Sequence, residues 1–361
     1  MKILQLTVHF SPNLGGVETH LDDLVAGLAA KKHNVFVLTY RPLSVSAEWQ
    51  MYEHKHLIQI LRIPWIPGFF NMLSTYPILE FIYLFPGLFV ALLIVIFQFR
   101  PQVIHAHGLV SGLIAVFWGK IFNLRTVVST HSIYNFPSSG IYRSLAIWLF
   151  SNSSHNLCLS DQSTKELVSL GIPASRVSRF TYWVDLERFK PQKKPKSNKF
   201  IVLFVGRLVP EKGIPELLAA AEMFKPGITL QIAGSGPLEA SVKKHYIGRI
   251  SQSDLPYYYS TASVVIVPST HDEGFGRVII ESLACGTPVV AANRGAIPEA
   301  MDNTVGKLID ISPQNIQAVI NYLFTNQKII TKMKKKARVF ATKRYSYHNI
   351  DQIIDSYHAH I

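Results

Sequence analysis

The hydrophobic and polar positions of this chain alternate in long blocks, and the blocks change period. Residues 2–8 (KILQLTV) form an apolar strand run, a glycine-containing loop follows, and residues 17–31 then show the spacing of an amphipathic helix before a second apolar strand at 34–40. Further strand runs fall at 57–63, 103–105, 126–129, 156–159 and 177–180, with helical spacing at 110–121, 140–151 and 161–170 between them. The rhythm restarts with strands at 200–205 and 229–233 and helices at 214–223 and 238–244. After these come strands at 264–267 and 288–292 and helices at 313–325, 328–342 and 347–360. Alternation of apolar strands with helices predicts an α/β fold with doubly wound parallel sheets.

The break between the two series is compositional. Residues 190–199 (KPQKKPKSNK) hold five lysines and two prolines and almost nothing apolar, the make-up of a linker or an exposed hinge. With 361 residues, two domains are expected. The divisions are 1–185, 186–344 and a last helical segment, 345–361, expected to pack back on the first domain.

Composition adds a charge. Lys and Arg exceed Asp and Glu by 36 to 23, a net +13, which points to an anionic partner: a phosphorylated substrate, an acidic membrane surface or nucleic acid. No basic motif interleaved with aromatics supports nucleic acid. The two cysteines, Cys158 and Cys285, lack metal or redox spacing and suit a reducing, cytoplasmic compartment. The first ten residues run straight into a strand pattern and do not have the form of a signal peptide. Between Ile63 and Phe99 the only formal charge is Glu80. Pro86-Gly87 divides that run and leaves about a dozen helical residues after it, too few to span a bilayer, so a buried helix or one lying in a membrane surface is expected. The basic stretch 331–344 reads as a solvated helix face or as an attraction to acidic headgroups.

Candidate chemistry collects in loops that follow strands, where open α/β sheets bind ligands. Gly15 and Gly16 precede the first helix and allow close backbone approach of a ligand; as turn glycines they would need none. No GxGxxG is present, against a nicotinamide or flavin enzyme. His105 and His107 follow a strand and His131 ends another; the first two lack the carboxylate or cysteine company of a metal site, and no metal is expected. His131 is the catalytic candidate, as a proton-handling imidazole at a strand end. In the second half, Arg207 and Lys212 with the glycines Gly234 and Gly236 and the helix start Gly274-Phe275-Gly276 form a diphosphate cradle. Glu273 and Glu281, eight positions apart, suit sugar hydroxyls on either side of that diphosphate, the layout of a nucleoside diphosphate-sugar. Glu281 also suits a local salt bridge, and a glycosidase pair is conceivable but has no use for a diphosphate cradle.

These motifs resemble those of the GT-B glycosyltransferases of family 4, the retaining "group 1" enzymes. The resemblance rests on the E-x7-E pattern within EGFGRVIIESLACGTPVV, with GRLVPEKG (206–213), AGSGP (233–237), SPNLGGVE (11–18), HAHG (105–108), STHS (129–132) and DLERFKP (185–191). It covers nearly the whole chain, and the order and spacing of the motifs are more specific than any one of them. It implies a GT-B fold, two Rossmann-like domains facing across a cleft, and no cofactor beyond a nucleoside diphosphate-sugar substrate. Carried over motif by motif, Arg207 and Lys212 bind the donor diphosphate, Glu273 the sugar, Glu281 the ribose, and Gly16 meets the diphosphate. His131 lies beside the anomeric carbon, and Glu18 and His107 fall on the acceptor side. The expected activity is metal-independent, retaining transfer to a glycan or lipid-linked acceptor, in the cytoplasm at the inner membrane face. A nucleotide-sugar 2-epimerase or hydrolase, and a non-catalytic binder, are the alternatives. Where the family often has Asn-Gly before Val-Asp, this chain has Tyr182-Trp183 before Val184-Asp185.

Overall fold

The computed structural model describes residues 1–358 apart from 14, 44, 46, 67–71, 73–75 and 194–198. Five residues of the expected linker, and parts of the uncharged stretch 63–99 and of the 347–360 helix, therefore lie outside the described residues. The chain divides into two compact units, Met1–Thr181 with Asn349–Ile361, and Tyr182–His348.

The first unit is built on strands β1 (Lys2–Leu6), β2 (Asn34–Tyr40), β3 (Tyr52–Lys55), β4 (Ile58–Ile63), β5 (Val103–His107), β6 (Arg125–Thr130), β7 (His155–Cys158) and β8 (Val177–Arg179). They form one sheet in the order β3-β4-β2-β1-β5-β6-β7-β8, parallel except for β3 against β4. Helices α1 (Gly16–Ala30), α2 (Pro77–Phe99), α3 (Leu109–Phe122), α4 (Ile141–Asn152) and α5 (Asp161–Ser169) fill the crossovers. Connections leave β1 toward β2 and return to β5 on its other side, so the switch point lies between β1 and β5. Fully buried Leu4, Leu6, Leu38, Leu84, Leu88 and Leu92 share one core between β1, β2 and α2. The antiparallel edge strand YEHK has no apolar alternation, which is why periodicity does not reveal it.

One expectation fails here. Pro86 does not divide the apolar run: α2 is a single helix of 23 residues with Pro86 inside it. The reason is Tyr40. Its hydroxyl donates to the Leu84 carbonyl at 2.5 Å and accepts from the Leu88 amide at 3.0 Å, inserting into the hydrogen-bond ladder beside the proline. Gly87 makes the space, since a Cβ there would lie 2.6 Å from that hydroxyl. The 22 residues Ile78–Phe99 contain an 18-residue window of mean hydropathy 2.5 and are long and apolar enough to cross a membrane. One face of it packs into the core, while Ile78, Ile82, Val90, Ile94 and Phe97 on other faces are exposed.

The second unit is a five-stranded parallel sheet, β10-β9-β11-β12-β13, of β9 (Phe200–Arg207), β10 (Ile228–Ser235), β11 (Val264–Val267), β12 (Val289–Ala292) and β13 (Gly306–Ile309). Helices α6 (Ile214–Ala221), α7 (Leu255–Thr261), α8 (Arg277–Ala284), α9 (Ile297–Ala300), α10 (Pro313–Thr325) and α11 (Gln327–Arg344) complete it. Its switch point falls between β9 and β11. The helix expected at 238–244 is absent; residues 237–245 form successive turns. Seven residues are marginal as a helix, and the backbone of Ile232 instead pairs with both sides of Tyr246, through His245 at 2.8 Å and Ile247 at 2.9 Å. The expected helix start after Gly236 is therefore not part of the cradle.

Helix α12 (Ile350–His358) belongs to the first unit. Arg125 donates to its Ser356 carbonyl at 3.0 Å, and its Tyr357 hydroxyl reaches buried His105 at 2.7 Å.

Candidate active site

In the second unit, the loops after β9 and β11 flank the switch point. Their backbones are pressed together: at Gly213, with φ of 71°, a Cβ would come within 1.9 Å of the Pro268 carbonyl oxygen. Gly234, at the end of β10, is as close to Gly206, whose carbonyl would lie 1.8 Å from an added Cβ. Only glycine permits this convergence. The Thr270 amide donates to the Glu211 carbonyl at 2.9 Å, and Arg294 donates to Asp272 at 3.0 Å, bracing the β11 loop from both sides.

That convergence brings Lys212 and Glu273 together. The Lys212 ammonium is 2.7 Å from Glu273 Oε1, and the Ser269 hydroxyl donates to the same oxygen. Burial works against ionisation of Glu273, but the Lys212 charge and the Lys212 and Ser269 hydrogen bonds outweigh it and hold the carboxyl below its usual range. Arg207, at the tip of β9 and opposite Ser235 of β10, is exposed and forms no ion pair among the described residues. Gly276 opens α8 with φ of 91°, and Phe275 is buried against Tyr182, their rings 5.7 Å apart. Tyr182 thus supports the Gly274–Gly276 turn, a role that its place in the sequence does not announce.

Glu281 is turned inward. It is buried on α8, where Tyr259 donates to it at 2.9 Å and Arg277 Nε at 3.3 Å. Burial lifts its carboxyl above the usual range, against the pull of Arg277 and Tyr259. The local ion pair weighed from sequence is present. The basic helix α11 is also partly structural: Arg338 donates to the carbonyls of Leu186 at 2.8 Å, Phe189 at 2.5 Å and Ala284 at 2.9 Å.

In the first unit, the ends of β5 and β6 carry the histidines. His107 Nε2 is 2.7 Å from Gln5 Oε1, and His107 Nδ1 is 2.9 Å from His131 Nε2. An amide oxygen only accepts, so His107 carries its proton on Nε2 and accepts at Nδ1 from His131 Nε2–H. His105 spans the Tyr357 and Ser129 hydroxyls, both at 2.7 Å. Burial drives His105 and His131 down to about 3 and His107 well below its ordinary value, so all three rings are neutral at physiological pH. His131 is therefore a hydrogen-bonding group here, not the neutral-pH proton carrier anticipated from its residue type. His20 of α1 was missed by sequence reasoning: it is fully buried, with its ring 5.6 Å from that of His131. The pairing of His9 and His20 on either side of Gly15-Gly16 was the available signal. Gly15 itself lets Glu18 fold back, since a Cβ there would lie 2.2 Å from the Glu18 carboxylate.

Glu18, His107 and His131 line one end of a cavity of about 690 Å³ in this unit. Most of its remaining wall is apolar and comes from α2, α3 and α4. Among the described residues, no group of three His, Cys, Asp or Glu side chains is arranged to hold a metal ion.

Two family profiles match the chain in succession: "Glycosyltransferase Family 4" over residues 14–188 and "Glycosyl transferases group 1" over residues 185–340. The chain is 26% identical over 334 residues to glycogen synthase of Mycobacterium tuberculosis, covering 84% of this chain and 80% of the relative. It is 24% identical over 340 residues to a phosphatidylinositol N-acetylglucosaminyltransferase of Arabidopsis thaliana, covering 89% and 73%. Among solved structures, sucrose-phosphate synthase of Thermosynechococcus elongatus superposes with a TM-score of 0.83 at 22% identity over 99% of this chain and 98% of that one. Anabaena HepE in complex with UDP-glucose superposes with a TM-score of 0.76 at 20% identity, over 98% of each chain.

Proposed function

The chain belongs to the group 1 glycosyltransferases of family 4, with two Rossmann-like GT-B domains, and from that premise we propose that it is a retaining, metal-independent enzyme using a nucleoside diphosphate-sugar. Its acceptor is a hydroxyl of a lipid-linked or cell-envelope glycan, reached from the cytoplasmic face of the membrane. The observation that carries this reading is the Lys212–Glu273 pair, 2.7 Å apart at a switch point, with the exposed cation Arg207 on the neighbouring strand end.

A diphosphate leaving group needs counter-charge as the bond to the anomeric carbon breaks, and Arg207 and Lys212 supply it without a metal ion. Glu273, kept ionised, accepts from sugar hydroxyls while its other partners fix its orientation. The acceptor oxygen forms its bond to the anomeric carbon on the face that the diphosphate leaves. The departing phosphate oxygen takes the electron pair of the broken bond and then the acceptor's proton, so configuration is retained. By the resemblance, His131 serves the reacting sugar as a neutral hydrogen-bonding group, and the backbone at Gly15-Gly16 and Gly274–Gly276 meets the phosphates. Glu281 serves the ribose, with Arg277 and Tyr259 holding its carboxyl in place. The solved complex of HepE with UDP-glucose supports the donor class.

The test is a panel of UDP-, GDP- and ADP-sugars in a thermal-shift assay, followed by NMR of the product's anomeric centre. One nucleotide-sugar is expected to raise Tm in the native chain and much less in Arg207→Ala. No stabilisation by any of them, or an inverted product, overturns the reading.

A further inference from the structure

The cavity that begins at Glu18, His107 and His131 has a wall unsuited to a sugar. Away from that end it is lined by buried or half-buried Phe81, Leu84, Leu109, Leu113 and Leu149. At about 690 Å³ it lies in the range of about 300–1,000 Å³ that engulfs a whole small ligand. Ser132, Tyr134 and Tyr142 also line the cavity, but against the apolar stretch of wall a polyhydroxylated sugar would leave hydroxyls without partners. Glu80 is the other acidic group on the lining besides Glu18, and burial lifts its carboxyl above the usual range.

The outer rim carries a second and independent observation. Ile78 of α2 and Ile141 of α4 both line the cavity and are 66% and 71% exposed. Beyond them the exposed apolar side chains continue along α2 as Ile82, Val90, Ile94 and Phe97, along α3 as Phe117 and Ile121, and on α4 as Trp148. An apolar cavity whose rim merges with an exposed apolar surface suits a ligand that is itself apolar at the far end from its reactive group.

We propose that this cavity takes the hydrocarbon chain of an amphiphilic acceptor, with the hydroxyl to be glycosylated at the Glu18–His107–His131 end and the chain leaving past Ile78 and Ile141. The proposal rests on the glycosyltransferase reading and deepens it, since it fixes the acceptor as a lipid with its chain in protein rather than a free sugar. Chain length is then read directly by the wall between α2 and α4, and that wall is a specificity determinant.

The experiment titrates the full-length protein with n-alkyl glucosides from methyl to decyl, below their micelle concentrations, by calorimetry. Affinity is expected to rise about fourfold for each added methylene until the cavity is filled, then to level off. Leu145→Trp, on the lining of α4, brings the plateau to shorter chains. Ile141→Asp, at a highly exposed rim position and so harmless to folding, weakens decyl but not methyl glucoside binding at least tenfold. Affinity independent of chain length, or a chain-length profile left unmoved by both variants, overturns the proposal. Each variant is also tested for stabilisation by the UDP-, GDP- and ADP-sugar panel. Donor stabilisation without chain-length dependence removes this inference and leaves the donor reading intact. Chain-length dependence without donor stabilisation keeps the hydrocarbon site but overturns the donor reading, and with it the assignment of the bound amphiphile as an acceptor.

Discussion

At the strand ends of the second unit, Lys212 and Glu273 meet as full charges 2.7 Å apart; at those of the first, His107 and His131 meet as neutral rings 2.9 Å apart. Both lie at the switch point of a doubly wound sheet, so the architecture offers the same crevice twice. What differs is the chemistry of the neighbours. The carboxylate of Glu273 has an ammonium and a hydroxyl against it and stays ionised despite burial. The histidines have an amide, hydroxyls and one another against them, and burial, reinforced by the neighbouring rings, keeps them neutral. One crevice thus presents full charges and the other neutral hydrogen-bonding rings.

The harshest way to break this contrast is to neutralise the charged site. In Lys212→Met the buried Glu273 loses its counter-ion, and the second unit is expected to lose about 3–5 kcal/mol of stability at pH 7. Denaturant unfolding measures it. Because burial then acts without its main opponent, the Glu273 carboxyl rises, and the loss shrinks as the pH is lowered and the group takes up a proton. A loss that is the same at pH 7 and pH 5 would show that Glu273 is not the group responsible.

Arg207→Ala separates ligand chemistry from folding. The side chain is exposed and without an ion pair among the described residues, so Tm is expected to stay within about 1–2 °C of the native value. Turnover is expected to fall about 100- to 1,000-fold, the loss of one preorganised partner of the leaving group. A drop confined to KM would instead make Arg207 a ground-state binder.

Acid tests the neutral site. His105 and His131 have folded-state values near 3 against about 6.5 when unfolded, so between these limits the unfolded chain binds more protons. Their contribution is present above about pH 6.5 and is lost as the pH falls, at up to about 1.4 kcal/mol per unit for each group. The second unit behaves differently. The lowered Glu273 contributes stability that is lost only below the ordinary carboxylate range, and the raised Glu281 acts in the opposite sense. Amide exchange from pH 7.5 to 5 should therefore loosen β5 and β6 before β11 and β12. Equal loosening of both sheets would break the comparison.

Much of this was legible in residue order. The α/β alternation, the strand-end position of the histidines and the loop positions of Lys212 and Glu273 follow from periodicity and from loops that must lie at one edge of a parallel sheet. Three things were not legible, and each depends on a partner distant in sequence. The continuity of α2 through Pro86 depends on Tyr40, 44 to 48 residues before its partners Leu84 and Leu88. The turns at 237–245 replace a helix because Ile232 competes for that backbone. The hydrogen-bonded arrangement of His107 and His105 depends on Gln5 and Tyr357, 102 and 252 residues from their partners. A period or a motif carries no trace of such pairings.

The smallest effect expected is also the sharpest probe of the neutral site. Gln5 is fully buried; its oxygen fixes the proton of His107 on Nε2, and that choice passes to His131 through the 2.9 Å bond. Gln5→Leu removes the acceptor and leaves a buried N–H without its partner, at about 1–3 kcal/mol, unless the proton moves to Nδ1. If it moves, His107 donates to His131, and His131 must carry its own proton on Nδ1, the opposite tautomer. Ring-nitrogen NMR reads this directly, and a swap at His131 is expected in Gln5→Leu and not in Gln5→Glu, which keeps an acceptor at the same place. Activity should follow the tautomer rather than stability: Gln5→Glu introduces a charge beside His107 yet leaves His131 presenting the same nitrogen. A His131 tautomer unchanged in Gln5→Leu would mean that groups other than Gln5 set it, and that the neutral site, unlike the charged one, is not organised from the strand beneath it.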